Sequence, residues 1–114
     1  MIDAGSTHYL SVIFYLLGAH ALADYALQPD WMARLKSPLV KSDERRHLGP
    51  WWWSMGAHAL INGFFVGLIT HWWWLGLLET GVHGWVDTQK CLKRITRNQD
   101  QAIHLLSKCV WALW

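Results

Sequence analysis

One long uncharged segment constrains the fold of this chain more than any other feature. Residues 51–74 include no Asp, Glu, Lys or Arg, and a helix of that length reaches roughly 35 Å. Tryptophan triplets stand at both ends of the segment, at 51–53 and 72–74. Indole rings favour the two interfaces of a bilayer, where the N–H group can reach the headgroups. The segment therefore predicts a transmembrane helix.

The rest of the chain predicts three more helices. We expect an all-α fold, an integral membrane bundle of four transmembrane helices at about 6–27, 51–74, 75–90 and 98–114. The apolar fraction of 53% and the ten tryptophans exceed what a soluble core normally needs in a chain of 114 residues. A chain of this length has room for one domain, so we expect 1–114 to be a single transmembrane domain. Two cysteines do not suggest a disulfide framework.

The basic residues predict an orientation. Nine of the ten Lys and Arg residues lie in two short segments, 34–46 and 90–97. Each segment joins two predicted spans, and the positive-inside rule makes their common side cytoplasmic. We expect a multi-pass protein of the cytoplasmic (inner) membrane, with a basic, solvated cytoplasmic loop at about 30–49, both termini on the non-cytoplasmic side and a tight turn at 74–76. The first helix lacks signal-peptide features and is expected to remain as an anchor.

Polar residues four apart recur in every predicted span. Residues at this spacing share one face of a helix, and the predicted topology places all the pairs at one depth near the cytoplasmic ends. Ionisable side chains at membrane depth cost at least a few kcal/mol each, so they face the bundle interior and are paired or bound to an ion. The pairs are His20 with Asp24, His58 with Asn62, His83 with Asp87, and Asp100 with His104.

The residue types in this layer favour a metal centre. Imidazole nitrogen and carboxylate oxygen suit a divalent ion such as Zn²⁺, Mn²⁺ or Fe²⁺, and helical bundles build such sites from inward-facing side chains. The predicted ligands could bind one ion, or two ions that share a carboxylate, and we favour two. The alternative is a polar network without a metal. The predicted ligands are His20, Asp24, His58, His83, Asp87, Asp100 and His104. The predicted non-ligands are His8, His47 and His71.

Further residues are expected around the centre. Glu79 lies one helical turn from His83, and Lys108 lies one turn from His104. In antiparallel helices these two charges would lie at similar depth, so we predict a buried structural ion pair between them beneath the site. The residues predicted to hold substrate or support the ligands are Gln28, Asn62, Lys36 and Lys90.

Several site residues stand in an ordered pattern with their neighbours, which includes His20-Ala-Leu-Ala-Asp24-Tyr25, His58-Ala-Leu and Asp100-Gln101. With this pattern the chain resembles the bacterial and phage membrane family known as domain of unknown function 3307. The resemblance covers nearly the whole chain, and that family has no established activity, so it implies the fold and the site without a reaction. More loosely, the His-x-x-x-Asp pairs are similar to those of membrane-bound metal-dependent hydrolases that act on lipids. Asn62 stands where a second acid would complete a symmetrical two-metal site. The matching pattern is His20-Ala-Leu-Ala-Asp24-Tyr25, Leu27-Gln28, Trp31, Lys36, His58-Ala-Leu, His83, Asp87, Lys90, Asp100-Gln101 and His104.

These features predict a metal-dependent hydrolase that acts on a phosphoester or acyl bond of a lipid or membrane-associated substrate at the cytoplasmic leaflet. The metal would polarise the scissile group and make water more acidic. Asp100 or His58 would act as the general base, and Lys36 or Lys90 would meet a phosphate.

Two other functions remain open at this point. The first is metal or proton transport, although the outer halves of the first two helices offer few polar groups. The second is a membrane interaction protein in which the metal only holds the helices together. Membrane lipid is the expected partner, and a homo-oligomer or another membrane protein stays open as well. Nucleic acid is not expected, because the basic residues suit the topology and no binding motif accompanies them.

Overall fold

Every regular element in the described part of the chain is a helix. The structure is a computed structural model that describes residues 4–45 and 48–114. The helices are α1 (Ala4–Ala21), which continues as a π-helical turn (Leu22–Ala26), α2 (Asp30–Leu35), α3 (Ser42–Arg45), α4 (Trp51–Thr70), α5 (Trp73–Cys91) and α6 (Arg97–Trp111). The predicted all-α class is confirmed for these residues.

Two helices are long and apolar enough to cross a membrane, Ala4–Ala26 and Trp51–Thr70. Helix α5 carries Glu79, Asp87 and Lys90, which lower its hydropathy. Helix α6 has 15 residues, about 22 Å at the helical rise, whereas the hydrocarbon core of a bilayer is about 30 Å thick. Length and composition therefore support two spans, and the bundle of four remains a proposal.

Polar side chains lie inside the bundle and many large apolar side chains lie outside. Among the described residues, thirteen polar or charged residues are buried, against ten apolar ones. Phe14 is 73% exposed and Trp73 is 74% exposed. Large exposed apolar areas mark contact with a partner or a membrane. This distribution suits a protein whose surroundings are lipid.

Helices α4 and α5 form a closely packed hairpin. A Cβ added to Gly63 would overlap the Gly76 carbonyl oxygen and the Thr80 hydroxyl, and a Cβ on Gly76 would lie 2.6 Å from the Gly63 carbonyl oxygen. Small residues at a crossing let two backbones approach in this way. The close approach brings the inward faces of α4 and α5 to the same layer.

The turn between α4 and α5 lies earlier than predicted. Helix α4 ends at Thr70 rather than at residue 74, His71 has a φ of 62°, and α5 begins at Trp73. The Thr70 hydroxyl donates to the Val66 carbonyl and accepts from the Trp72 N–H, which closes the helix end. The absence of charged residues indicates which residues lie within the membrane, but it does not indicate where a helix ends. The uncharged segment includes the turn, so the predicted helix was too long.

The basic connection before α4 is a folded cap where a solvated loop was expected. It contains α2 and α3, and Met32, Leu35 and Arg45 are buried. The Arg45 guanidinium donates to the backbone carbonyls of Leu35 and Val40. Lys36 is only 2% exposed, so this connection contributes a side chain to the interior of the bundle.

Candidate metal centre

The four long helices bring the predicted layer together. Helices α1 and α5 contribute residues from their carboxyl-terminal halves, and α4 and α6 contribute residues from their amino-terminal halves. This is the arrangement expected when successive helices run in alternating directions. All the predicted ligands are buried: His20, Asp24, His58, His83, Asp87, Asp100 and His104.

A π-helical turn carries Asp24 into the layer. The turn spans Leu22–Ala26, and such turns often occur at functional sites. The Asp24 carboxylate lies 3.4 Å from His20 Nε2 and accepts from Asn62 Nδ2 at 3.3 Å. Gln28 Nε2 donates to the Asp24 backbone carbonyl at 2.8 Å. The predicted supporting residues Asn62 and Gln28 therefore both contact Asp24.

Four donor atoms from three helices converge at the middle of the layer. His58 Nε2 and His83 Nε2 lie 3.1 Å apart. Asp24 Oδ1 lies 3.3 Å from the His58 nitrogen and 3.4 Å from the His83 nitrogen. Asp87 Oδ2 lies 3.3 Å and 4.0 Å from the same two atoms. A tetrahedral ion with ligands at about 2.0–2.1 Å has donor atoms about 3.3–3.4 Å apart. His58, His83 and Asp87 form one group at metal-binding distance, and Asp24 approaches both histidines of that group.

Glu79 orients His83 toward this centre. His83 Nδ1 lies 3.2 Å from Glu79 Oε1, so an Nδ1–H donating to the carboxylate leaves Nε2 free to bind a cation. Lys108 Nζ contacts the same Glu79 oxygen, which is the ion pair expected from helical spacing. Trp111 Nε1 donates to Glu79 Oε2 at 2.6 Å, a contact that sequence reasoning missed. The ion pair therefore also supports a predicted ligand.

A second group of donors lies beside the first. His104 Nε2 lies 3.2 Å from Asp100 Oδ1 and 3.6 Å from Asp87 Oδ1. The His104 ring stacks on the His83 ring with centroids 4.0 Å apart. Neither His104 Nε2 nor Asp100 Oδ1 finds a hydrogen-bond partner within the described residues. These two atoms therefore face each other at ion-pair distance without a hydrogen bond of good geometry.

Two lysines contact the Asp87 carboxylate, one at each oxygen. Lys36 Nζ contacts Asp87 Oδ2. Lys90 Nζ lies 3.0 Å from Asp87 Oδ1 and 3.5 Å from Asp100 Oδ2. Both lysines were expected to meet a phosphate at the interface, but the structure places Lys36 in the interior and Lys90 at its edge.

The charges of the layer suit one divalent ion better than two. With neutral histidines, the carboxylates of Asp24, Asp87 and Asp100 face the ammonium groups of Lys36 and Lys90, which leaves one negative charge. One divalent ion would change this to one positive charge, and two ions would change it to three. Unpaired buried charge is costly. This charge count favours one ion over the two-ion arrangement that the sequence favours, and the number of ions stays a prediction.

Gln101 joins α6 to the Asp24 side of the layer. Its Oε1 lies 3.0 Å from His20 Nε2, and its Nε2 donates to Asp24 at 3.3 Å and to Asp100 at 3.1 Å. Sequence reasoning did not select Gln101 as a site residue. Gln101 lies three residues before His104, so the two residues share one side of the helix, and this spacing could have identified Gln101 as a site residue.

The other histidines lie apart from this layer. His8, early in α1, and His71, at the end of α4, are both exposed. His47 lies outside the described residues. The cysteines Cys91 and Cys109 are both free.

A pocket of about 220 Å³ opens onto the layer between the end of α1, α2 and the start of α6. It gives solvent or an interfacial molecule a route to Asp24. Beside that carboxylate its polar lining comprises a tyrosine, two amides and three cations: Tyr25, Gln28, Gln101, Lys36, Lys90 and Arg97.

Comparison with protein-family models, curated protein sequences and solved structures finds no match for this chain. The resemblance to domain of unknown function 3307 therefore stays a prediction. The class of this protein is therefore defined by its fold and its site. Over residues 4–45 and 48–114 it is all-helical, with two helices long and apolar enough to cross a membrane and with buried His, Asp and Glu groups at metal-binding distances.

Proposed function

We propose that this chain is a multi-pass inner-membrane protein that holds one divalent metal ion between Asp24, His58, His83 and Asp87. The observation that carries the proposal is the set of five donor separations between 3.1 and 4.0 Å. Two imidazole nitrogens and two carboxylate oxygens suit Zn²⁺, and also Mn²⁺ or Fe²⁺. The two atoms that face each other, His58 Nε2 and His83 Nε2, would both gain a cationic partner.

In this proposal α5 and α6 are the third and fourth spans. Their outer faces carry exposed apolar side chains, such as Leu77 and Trp85 on α5 and Leu106 on α6. Apart from Lys90 and Arg97, which lie near helix ends, their charged residues are buried and paired, so mean hydropathy understates how well the helices suit lipid. The basic connections at 34–46 and 90–97 lie on the cytoplasmic side and both termini lie opposite.

The activity we propose is hydrolysis of a phosphoester or acyl bond in a lipid or membrane-associated substrate at the cytoplasmic leaflet. A divalent ion supplies Lewis acidity, which polarises the scissile group and makes water more acidic. The pocket above Asp24 supports this activity because it gives a substrate access to the centre.

Asp100 is the general base in this scheme. Its carboxylate lies outside the four-donor set, with Oδ1 3.2 Å from His104 Nε2, whereas His58, the other predicted base, belongs to that set. Asp100 takes a proton from the attacking water, whose oxygen bonds to the phosphorus or carbonyl carbon. The bond to the leaving oxygen then breaks, and that oxygen takes the proton from Asp100.

The test is hydrolysis by the full-length protein reconstituted with Zn²⁺ or Mn²⁺, using phosphoester and acyl lipids as substrates. Asp100→Asn should lower the rate by about 10²- to 10⁴-fold, the usual contribution of a general base. Asp30→Asn removes an exposed acid at the start of α2 and should leave the rate unchanged. Metal-loaded protein that cleaves none of these substrates would contradict the proposed activity.

Transport fits the structure less well than hydrolysis. A path for ions needs polar groups on both sides of the layer. The buried cluster toward the far end of the bundle is apolar, formed by Leu16, Val66, Leu75 and Ala112. This cluster offers no site at which an ion or proton could be held.

A further inference from the structure

Arg97 stands out among the described arginines because its guanidinium has no partner. It is the exposed first residue of α6 and lines the pocket above the metal centre. The remaining described arginines each donate to a partner. Arg34 donates to Glu44, Arg45 to backbone carbonyls and Arg94 to Gln89.

The pocket gains a surplus of positive charge when the centre holds a metal. Three cations, Lys36, Lys90 and Arg97, line the pocket. They balance the three carboxylates of the layer, Asp24, Asp87 and Asp100, when the histidines are neutral. One divalent ion then leaves two positive charges, one more than in the buried layer, because the exposed Arg97 is now counted. An anion with two negative charges would restore neutrality.

We infer that the metal-loaded site binds a phosphate dianion in this pocket, so that its substrate group is a phosphate monoester and not an acyl ester. This inference rests on the proposed metal centre. A guanidinium can bind two phosphate oxygens at once, and an ammonium group binds phosphate as a point charge. A neutral acyl ester would leave both surplus charges unpaired. The dianion is either the headgroup of a phosphomonoester lipid or a soluble phosphate.

The proposal is tested by calorimetric titration of inorganic phosphate into the full-length protein in detergent. One sample is metal-free, and the other holds one equivalent of Mn²⁺ with the excess removed. The loaded protein should bind phosphate at least about tenfold more tightly, because the metal supplies the surplus charge.

Two variants of the loaded protein make the test specific to Arg97. Arg97→Gln should weaken phosphate binding by about ten- to a hundredfold, the effect of losing a charge-assisted hydrogen bond. Arg94→Gln removes a neighbouring exposed arginine that does not line the pocket and should change binding by less than about twofold. Manganese content, measured on the same samples, should be equal in all three proteins.

The same titration in lipid nanodiscs separates the two sources of the dianion. Nanodiscs that contain phosphatidic acid should compete with phosphate if the ligand is a lipid headgroup, whereas phosphatidylcholine nanodiscs should not. Equal phosphate binding in both kinds of nanodisc would assign the site to a soluble phosphate.

Loaded protein that binds no phosphate would overturn this inference and leave the metal centre standing. Equal phosphate affinity in Arg97→Gln and Arg94→Gln would do the same. Protein that takes up no Mn²⁺ would overturn the metal centre as well.

Discussion

His83 shows how one side chain can serve both the metal and its support. Its Nε2 belongs to the four-donor set, and its Nδ1 faces Glu79 at 3.2 Å. A carboxylate behind a ligating histidine fixes the tautomer and the direction of the ring. Lys108 and Trp111 hold that carboxylate in turn. The buried Glu79–Lys108 pair therefore does more than neutralise two charges.

Removing one member of this pair should be costly. Lys108→Met leaves Glu79 fully buried without its cation, and should lower the free energy of unfolding by about 3–5 kcal/mol. Glu79→Gln in the same chain removes the unpaired charge and keeps an acceptor for His83, so the double variant should recover most of the loss. Chemical unfolding in detergent, followed by circular dichroism, measures both effects.

Lys93→Met, at an exposed position in the connection after α5, is the matched control and should unfold like the natural sequence. The account of the pair is wrong if Lys108→Met is as stable as that control. It is equally wrong if the double variant is no more stable than Lys108→Met.

Helical spacing predicts which ligands share a face, but it does not predict contacts between distant helices. His83 and Asp87 are four apart, so their common face is a property of the local sequence. The positions of Gln101 and Arg97 at the site depend on how α6 is rotated relative to α1 and α5, and no local sequence pattern predicts that rotation. Lys36 enters the layer because α2 folds beneath the bundle, a path that the basic character of the connection did not indicate.

At the scale of the helices, the α4–α5 hairpin sets the position of the centre. It carries His58 on one arm and His83 and Asp87 on the other, and its arms meet at Gly63 and Gly76. A change at this crossing should therefore disturb both stability and metal binding.

Gly63→Ala tests the crossing. The added methyl group would meet the Gly76 carbonyl oxygen, a backbone atom that can move only if the helices separate. We expect a loss of about 1–3 kcal/mol in the free energy of unfolding, typical of overpacking. Thermal unfolding in detergent gives the comparison.

Gly56→Ala provides the control on the same helix. Nothing lies within 4 Å of a Cβ at that position, so the variant should be equally or slightly more stable, because alanine favours the helix. Equal stability of the two alanine variants would mean that the helices do not pack closely at Gly63.

The elements could be predicted from the sequence more readily than their ends. A long uncharged segment and the recurring four-residue spacing are enough to predict long helices. The π-helical turn at Leu22–Ala26 and the αL residue His71 are local backbone features. Side-chain hydrogen bonds to the backbone accompany both features, from Gln28 and from Thr70, and hydropathy carries no information about such bonds.

For the whole molecule, the arrangement of polar inside and apolar outside is what a lipid solvent favours. Helix α5 has a low mean hydropathy because its polar face is averaged with its apolar one, and helix α6 is in addition only 15 residues long. Whether they span the membrane is therefore a question of topology.

Single-cysteine variants answer the topology question in a chain without Cys91 and Cys109. A membrane-impermeant maleimide applied to intact cells that expose the periplasmic face should label His71→Cys and Leu113→Cys. Lys93→Cys should react only after lysis, because its connection lies on the cytoplasmic side. Labelling of Leu113→Cys only after lysis would show that α6 does not cross the membrane.

The most direct test of the metal centre is the metal content per chain of detergent-purified protein, measured by elemental mass spectrometry. We expect one divalent ion per chain in the natural sequence and in His71→Ala, since His71 is exposed and apart from the layer. Asp24→Ala and His83→Ala should each lose it. Two ions per chain would contradict the charge argument, and a natural chain without metal in any preparation would contradict the metal centre itself.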